Sequence, residues 1–150
     1  MPAFARAAAV LLVAAVLVGG FAEPSGAVWR RPRADRVRSV VAAARRALGV
    51  RYRSGGDSPR TGFDCSGLTR WTWEHGGDEL PHNAYQQYRS VWHPKRGHLR
   101  RGDLLFFYRP IQHVAIYMGR GWMIEAAHSG TRVRRVRVYW QYFTAAGRPD

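Results

Sequence analysis

The sequence predicts a single α+β domain in which helices pack on a mainly antiparallel sheet. Helical patterns follow residue 34, and patterns typical of strands follow Gly97. Helices followed by a run of strands are typical of an α+β domain. The chain has 150 residues, of which 46% are hydrophobic and 13% aromatic, so it can bury one substantial core but hardly two. We therefore expect one domain over residues 35–150.

The first 27 residues differ in character from the rest. Arg6 precedes an unbroken run of small or aliphatic residues at 7–20, and the segment closes on Ser25-Gly26-Ala27. This outline is typical of a secretory signal peptide cleaved after Ala27. A retained membrane anchor is the alternative, but spanning needs about 20 apolar residues and Gly19-Gly20 interrupts the run before that. A signal peptide at 1–27 and a flexible basic lead at 28–34 are predicted.

A first helix is predicted from an N-cap at Asp35 to a stop at Gly49. Its apolar residues recur at helical spacing on one face, with the arginines largely elsewhere. That face consists of Val37, Val40, Val41, Ala44 and Leu48. Residues 53–62 are expected to form a loop, because glycine, proline, aspartate and serine are dense there.

A second helix is predicted to begin at Cys65, with Asp64 as its N-cap and Gly76-Gly77 as its stop. A shorter helix is expected over 84–91. The buried stripe of the second helix is predicted to be Leu68, Trp71, Thr72 and His75. Strands are predicted beyond Gly97, separated by turns that contain glycine or proline. They cover residues 104–108, 114–118, 122–126 and 133–139.

The net charge of +14 comes almost entirely from arginine, spread from Arg30 to Arg148. A scattered pattern favours general attraction to polyanions over a shaped docking groove. For an exported protein the available polyanions are wall polymers and anionic lipid surfaces, whereas nucleic acid is the intracellular alternative. Because a signal peptide is predicted, we expect anionic wall polymers as partners and no nucleic acid.

Cys65 is the single cysteine of the chain. An exported protein ordinarily uses cysteines in pairs as disulfides, so an unpaired thiol favours chemistry over a role as a small buried hydrophobe. At the first position of a helix, unpaired backbone N–H groups stabilise a thiolate. Cys65 is therefore a candidate nucleophile, provided that an imidazole lies nearby.

Six histidines could supply that imidazole, and His113 is the strongest candidate. His75 is on the same helix as Cys65, about 15 Å away at 1.5 Å per residue, and is excluded. His113 begins a predicted strand, where the end of a sheet would hold its side chain rigidly, although a structural role is the equal alternative. The three histidines in loop-like, polar surroundings are expected to be solvated; they are His82, His93 and His98.

A third residue should orient the imidazole, and two candidates remain open. A three-residue turn at 119–121 would pair Met118 with Trp122 and place Glu125 diagonal to His113. A two-residue turn would shift the register by one and place His128 opposite His113 instead. Local rules do not choose between them. The histidines show no ligand-type spacing with cysteines or acids, so no metal or other cofactor is predicted.

Three blocks of the sequence resemble, in order and spacing, the signature blocks of the NlpC-type cell-wall peptidases. The resemblance runs from about Tyr52 to Val138 and implies a papain-like α+β fold, with the catalytic cysteine at a helix N-terminus. The blocks are Gly62-Phe63-Asp64-Cys65-Ser66-Gly67-Leu68, Arg101-Gly102-Asp103-Leu104-Leu105-Phe106-Phe107 and His113-Val114-Ala115-Ile116-Tyr117-Met118-Gly119.

The resemblance implies Cys65 as nucleophile, His113 as base and Glu125 as the third, orienting residue. Tyr52, Asp64 and Ser66 resemble substrate-binding residues of the family. Asp64 would cap the helix with one carboxylate oxygen and hold a substrate ammonium with the other. Three departures from the family pattern concern the shape of the cleft. They are Ser54 where a large apolar residue is usual, Arg101 where proline is usual, and a loop lengthened by Arg60-Thr61.

The function that the resemblance implies is a cysteine endopeptidase acting on peptidoglycan stem peptides, between D-glutamate and diaminopimelate. A monomer secreted to the cell wall or periplasm is expected, with membrane association only if the signal segment is retained. Two alternatives use the same fold: a cationic wall-binding protein with little or no catalysis, and a related amidase or acyltransferase.

Overall fold

The computed structural model of the protein describes residues 33–150. The predicted signal peptide and the lead up to residue 32 lie outside this range. Within it, no helix is long and apolar enough to cross a membrane. Three helices are present: α1 (Arg33–Arg46), α2 (Cys65–Gly76) and α3 (Ala84–Ser90).

Within residues 33–150, seven strands form two antiparallel sheets. A small hairpin is made by β1 (Asp57–Ser58) and β2 (Gly62–Phe63). The main sheet has the order β6-β5-β4-β3-β7, with every neighbouring pair antiparallel. Its strands are β3 (Leu104–Phe107), β4 (His113–Gly119), β5 (Trp122–Glu125), β6 (Arg134–Arg137) and β7 (Phe143–Gly147). The predicted α+β fold with helices on an antiparallel sheet is confirmed.

Both faces of the main sheet bury side chains, which follows from the two-residue period of strands. On one face, Leu104, Phe106 and Ile116 pack in the core that also holds residues of α1 and α2. On the other face, Leu105, Phe107 and Met123 form a second, smaller core. Helix α2 lies between α1 and β4, so its first turn is held against the centre of the sheet.

The first helix differs from its prediction at both ends. It begins at Arg33, so Asp35 lies in the first turn and is not the N-cap, and the last two residues of the predicted lead are helical. At the other end Leu48 is 41% exposed, whereas Ala47 is fully buried. Arg36, expected on the solvated side, is buried because its Nε donates to the Gly76 carbonyl at 3.0 Å.

The buried stripe of α2 was only partly predicted. Leu68 and Thr72 are fully buried, but Trp71 and His75 are half-buried. The fully buried aromatic of this helix is Trp73, whose indole Nε1 donates to the Gly102 carbonyl at 3.2 Å. Two further differences concern strands: the predicted loop at 53–62 contains the β1–β2 hairpin, and the C-terminal strand β7 was not predicted.

The second signature block holds a buried ion pair that joins the start of β3 to the C-terminal end of the chain. Asp103 is fully buried, and Arg148 donates to it from Nε and Nη2, each at 2.7 Å. The Asp103 Oδ2 also accepts the backbone N–H of Arg100 at 2.7 Å. Because a buried carboxylate must be paired, this arrangement ties β7 to the centre of the sheet.

Candidate active site

Cys65 is the first residue of α2, and Asp64 caps the helix as predicted. Asp64 has extended backbone angles, and its Oδ1 accepts the Gly67 N–H at 2.7 Å. Its Oδ2 accepts the Gly55 N–H at 2.8 Å. The capping carboxylate therefore also holds the glycine-rich loop against the first turn of the helix.

Gly67 is required where the loop meets this first turn. A Cβ atom at position 67 would collide with the carbonyl oxygen of Gly56. The Gly56 carbonyl also accepts the Asp64 N–H at 3.0 Å, so it cannot easily withdraw. Cys65 is half-buried. It lies between Asp64 and Gly67, whose backbones both contact the Gly56 carbonyl.

His113 opens β4 and is buried, and it lines the same cleft as Cys65, whose side chain is close enough to influence the pKa of the imidazole. Its Nε2 lies 2.8 Å from Oε2 of Glu125, the last residue of β5. With Nε2 engaged by the carboxylate, Nδ1 is the ring nitrogen left for the thiol. The structure therefore places His113 between the cleft that it shares with Cys65 and the carboxylate of Glu125.

The register that selects Glu125 depends on a β-bulge. The turn between β4 and β5 is the two-residue form, since Arg120 and Gly121 both have positive φ, 54° and 74°. That turn alone would favour His128. However, the pairing shifts between Tyr117 and Gly119, and beyond the shift Ile116 lies opposite Ile124. The bulge thus restores the alignment expected for a three-residue turn, and Glu125 reaches His113.

Glu125 is fully buried and is held by two residues besides His113. Arg134, its cross-strand partner on β6, donates to Oε1 from Nε at 3.1 Å, and its Nη2 lies 3.0 Å from the same oxygen in an ion pair. The hydroxyl of Tyr139 donates to Oε2 and also lies 3.5 Å from the Nε2 of His113. All these partners favour the ionised carboxylate, whose position is consequently fixed.

Two effects act on the pKa values of His113, Glu125 and Tyr139. One is burial, and the other is pairing with charged or hydrogen-bonding neighbours. Burial would lower the pKa of His113, but its hydrogen bonds to Cys65 and Glu125 raise that pKa from 6.5 to about 9. Burial would raise the pKa of Glu125, yet its bonds to His113 and Tyr139 hold that pKa below its ordinary value. The pKa of Tyr139 is raised by burial and by the Glu125 carboxylate, so its hydroxyl remains a donor. At neutral pH the base is an imidazolium that faces the thiol.

A cleft of about 520 Å³ opens beside Cys65 and His113. Tyr52 is half-buried on its wall, and burial, with Cys65 and Asp64 nearby, raises the pKa of the phenol, which keeps its proton. The other residues that line the cleft are Tyr108, Gln112, Ala127, His128, Arg134, Tyr139, Gln141 and Tyr142. Among residues 33–150, no group of three histidine, cysteine or acidic side chains could hold a metal ion.

Comparison with known proteins places the chain among its relatives. A sequence profile of the NlpC/P60 family matches residues 49–148, two thirds of the chain. The chain belongs to the NlpC/P60 family. A probable endopeptidase of Corynebacterium glutamicum is 32% identical over 148 residues, which cover 99% of this chain and 68% of that protein.

Two relatives are much longer than this chain, and one solved structure is covered to the same extent as the Corynebacterium protein. The bifunctional muramidase/DL-endopeptidase CwlT of Bacillus subtilis is 34% identical over 71% of this chain. The chain spans 34% of CwlT and 20% of the probable endopeptidase p60 of Listeria innocua. The structure of the peptidoglycan hydrolase RipB from Mycobacterium tuberculosis has a TM-score of 0.72 at 34% identity, covering 79% of this chain and 68% of that one.

The three departures from the NlpC/P60 pattern lie on the surface. Ser54 and Arg101 are exposed and in turns. Arg60 and Thr61 lie in the short connection between β1 and β2, where the Ser58 and Thr61 hydroxyls are 2.7 Å apart. None of these residues lines the cleft beside Cys65. Arg60 and Thr61 therefore lie at the end of a hairpin, away from the residues that line the cleft.

The three predicted substrate-binding residues do not all line the cleft. Tyr52 lines the cleft, but Asp64 and Ser66 do not. Ser66 is buried, and its hydroxyl lies 3.5 Å from the Asp64 Oδ1. We expected one Asp64 oxygen to cap the helix and the other to hold a substrate ammonium. In the structure the second oxygen, Oδ2, accepts the Gly55 N–H instead. Substrate contacts of Asp64 and Ser66 stay predictions.

Four residues of the site were missed or misjudged from the sequence. The expectation that His82 is solvated is wrong: its Nε2 lies 2.8 Å from the Asp64 Oδ1. His128 lines the cleft and bonds the Ser129 carbonyl at 2.9 Å. Arg134 and Tyr139 lie in the predicted strand at 133–139, and pairing that strand with the one containing Glu125 could have indicated Arg134.

Proposed function

We propose that this NlpC/P60 domain is a cysteine peptidase that hydrolyses amide bonds in peptidoglycan stem peptides. The observation that carries the proposal is that Cys65 and His113 line one open cleft while Glu125 lies 2.8 Å from the His113 imidazole. Relatives of the chain are a DL-endopeptidase and a peptidoglycan hydrolase, which supports the same substrate class. The bond proposed for cleavage is the one between D-glutamate and diaminopimelate.

The reaction begins with the thiolate of Cys65, stabilised by the start of α2 and by the imidazolium of His113. The sulfur attacks the amide carbonyl carbon, and the C–N bond breaks as His113 gives its proton to the leaving amine. Neutral His113 then takes a proton from water, whose oxygen attacks the thioester and releases the Cys65 sulfur.

Two groups assist this sequence without forming bonds to the substrate carbon. Glu125 keeps the imidazole oriented and stabilises its protonated form, as the third residue of a triad does. The carbonyl oxygen becomes negative during the attack, and the backbone N–H of Cys65 at the helix start is placed to stabilise it. The Gly67 N–H is unsuited, because the Asp64 carboxylate already accepts it.

The proposed partners and location follow from the charge and from the predicted signal peptide. Stem peptides carry carboxylates, and a protein of net charge +14 attracts them and other anionic wall polymers. Secretion to the cell wall or periplasm would bring the domain to that substrate.

Digestion of purified peptidoglycan tests the proposal. The protein should release fragments whose masses identify the cleaved bond, whereas the Cys65→Ala variant should release none. Thermal unfolding of both proteins serves as the control for folding. Equal amounts of product from the two proteins would contradict the proposed mechanism. Cleavage at another amide bond would support the proposed peptidase activity and would contradict the proposed cleavage site.

A further inference from the structure

The cleft beside Cys65 has one permanently charged residue on its wall. Arg134 lines it, and none of the lining residues within the described part of the chain is an acid. Glu125 is close by but fully buried, so it presents no carboxylate to a ligand. A cleft with a fixed cation and no exposed acid suits a ligand that carries a negative charge.

Arg134 combines a fixed position with an accessible guanidinium. Its Nε donates to the Glu125 Oε1 at 3.1 Å and its Nη2 lies 3.0 Å from the same oxygen, and yet 48% of its side chain is exposed. A guanidinium has five donors in a planar fork and can bind more than one carboxylate. The bonds to Glu125 occupy one edge. The second edge can meet a ligand in the cleft without releasing Glu125.

The proposed substrate, on which this inference rests, offers suitable anions. Glutamate has two carboxyl groups, and only one of them enters the amide bond to diaminopimelate. The other stays free next to the bond that would be cleaved. Diaminopimelate also has two carboxyl groups, and its amine forms this bond. At most one carboxyl group of diaminopimelate enters the next peptide bond, so the residues on both sides of the scissile amide each carry a free carboxylate.

We propose that Arg134 determines specificity for a free carboxylate next to the scissile amide. One edge of the guanidinium holds Glu125, and the other binds the substrate carboxylate. Glu125 in turn contacts His113 at 2.8 Å. Arg134 therefore takes part both in substrate binding and, through Glu125, in orienting the base. Amidation of that carboxylate removes its charge and replaces one oxygen with a donor, which a guanidinium cannot accept.

Three synthetic stem peptides that contain the glutamate–diaminopimelate bond test the inference. In the first both flanking carboxylates are free, in the second that of glutamate is amidated, and in the third that of diaminopimelate is amidated. The protein should cleave one amidated form with a kcat/KM about tenfold lower than the free acid, mainly through KM, as loss of a charged contact predicts. The identity of that form shows which carboxylate Arg134 binds.

Variants separate substrate binding from support of Glu125. Arg134→Gln should cleave the acid and amidated peptides at similar kcat/KM, and Arg134→Lys should keep part of the preference. Tyr139→Phe removes another Glu125 partner without removing a positive charge. It should lower kcat on all three peptides alike and keep the full preference. A preference that is unchanged in Arg134→Gln, or absent from the unaltered protein, would overturn the inference and leave the peptidase intact.

Calorimetric binding to Cys65→Ala protein gives a readout without turnover. This protein should bind the free acid peptide more tightly than the discriminated amide, and Cys65→Ala combined with Arg134→Gln should bind both equally. Preferential binding without cleavage by the unaltered protein would refute the proposed function and keep the anion site. Equal binding of acid and amides by Cys65→Ala protein would refute the anion site.

Discussion

Glu125 and His113 form a hydrogen-bonded pair in the interior, with 2.8 Å between the carboxylate Oε2 and the imidazole Nε2. The side chains are 0% and 8% exposed, so water screens the pair little. Charge pairing outweighs burial and raises the pKa of His113 to about 9. The imidazole beside Cys65 is therefore protonated at neutral pH, and it is held in one orientation.

Replacing Glu125 with glutamine should lower kcat/KM on peptidoglycan peptides by about 100-fold or more, because an amide cannot stabilise the imidazolium. His128→Ala is the matched control, since His128 lines the same cleft and bonds the Ser129 carbonyl. That control should stay within about threefold of the unaltered protein. Steady-state kinetics on both variants measures the difference. A larger loss in His128→Ala would assign the orienting role to His128.

The stability of the fold should depend on pH through His113. The pKa of His113 is about 9 in the folded protein and ordinarily 6.5. The stabilisation that comes from the protonated imidazole is therefore complete below pH 6.5 and is lost as the pH rises through 9. Urea unfolding between pH 6 and pH 10 should show the free energy of unfolding declining across that window. His113→Gln should have a flatter profile. A decline of the same size in that variant would assign it to another group.

Arg148→Ala should destabilise the domain by about 3–5 kcal/mol, because it removes both hydrogen bonds to the buried carboxylate of Asp103 and leaves only the Arg33 guanidinium, 3.7 Å away, as a counter-ion. Arg148→Lys should recover only part, since an ammonium cannot repeat the two parallel bonds. The control is Arg46→Ala at an exposed position of α1, expected to change stability by less than about 0.5 kcal/mol. Similar losses of unfolding free energy in both alanine variants would show that the ion pair contributes little.

Gly67→Ala should cost at least about 2 kcal/mol and reduce activity, since the new methyl group overlaps the Gly56 carbonyl. The backbone that carries Cys65 must shift to relieve the overlap. Gly97→Ala is the matched control, because a Cβ atom there meets no other atom within 4 Å. Thermal unfolding and peptide cleavage should separate the two variants. If Gly67→Ala keeps its activity and stability, the close packing of loop and helix is unimportant.

Charge should affect the rate of substrate capture. Because the chain carries a net charge of +14, kcat/KM on anionic peptidoglycan should fall about tenfold between low and physiological ionic strength. Alkylation of Cys65 by iodoacetamide, a neutral reagent, serves as the control and should change much less with salt. Equal salt dependence of the two rates would attribute the effect to the thiolate and not to attraction of the substrate.

Features that depend on a few neighbouring residues could be predicted well. The start of α2 is an example, since Asp64 caps the Gly67 N–H three residues away and Gly77 ends the helix in a left-handed conformation. The start of α1 was wrong by three residues, because an N-cap at Asp35 would begin the helix at residue 36, whereas the helix begins at Arg33. Burial of charged residues was missed at Arg36 and Arg148, whose partners are distant in sequence.

The sequence by itself determined a lone cysteine at a helix N-terminus, strands that follow the helices, and His113 at the start of a strand. The tertiary structure alone decided which residue meets that histidine. The two-residue turn at Arg120 and Gly121 favours His128, and only the bulge between Tyr117 and Gly119 brings Glu125 into position. A helix cap depends on residues within about one helical turn of each other, whereas strand register depends on the packing of the whole sheet.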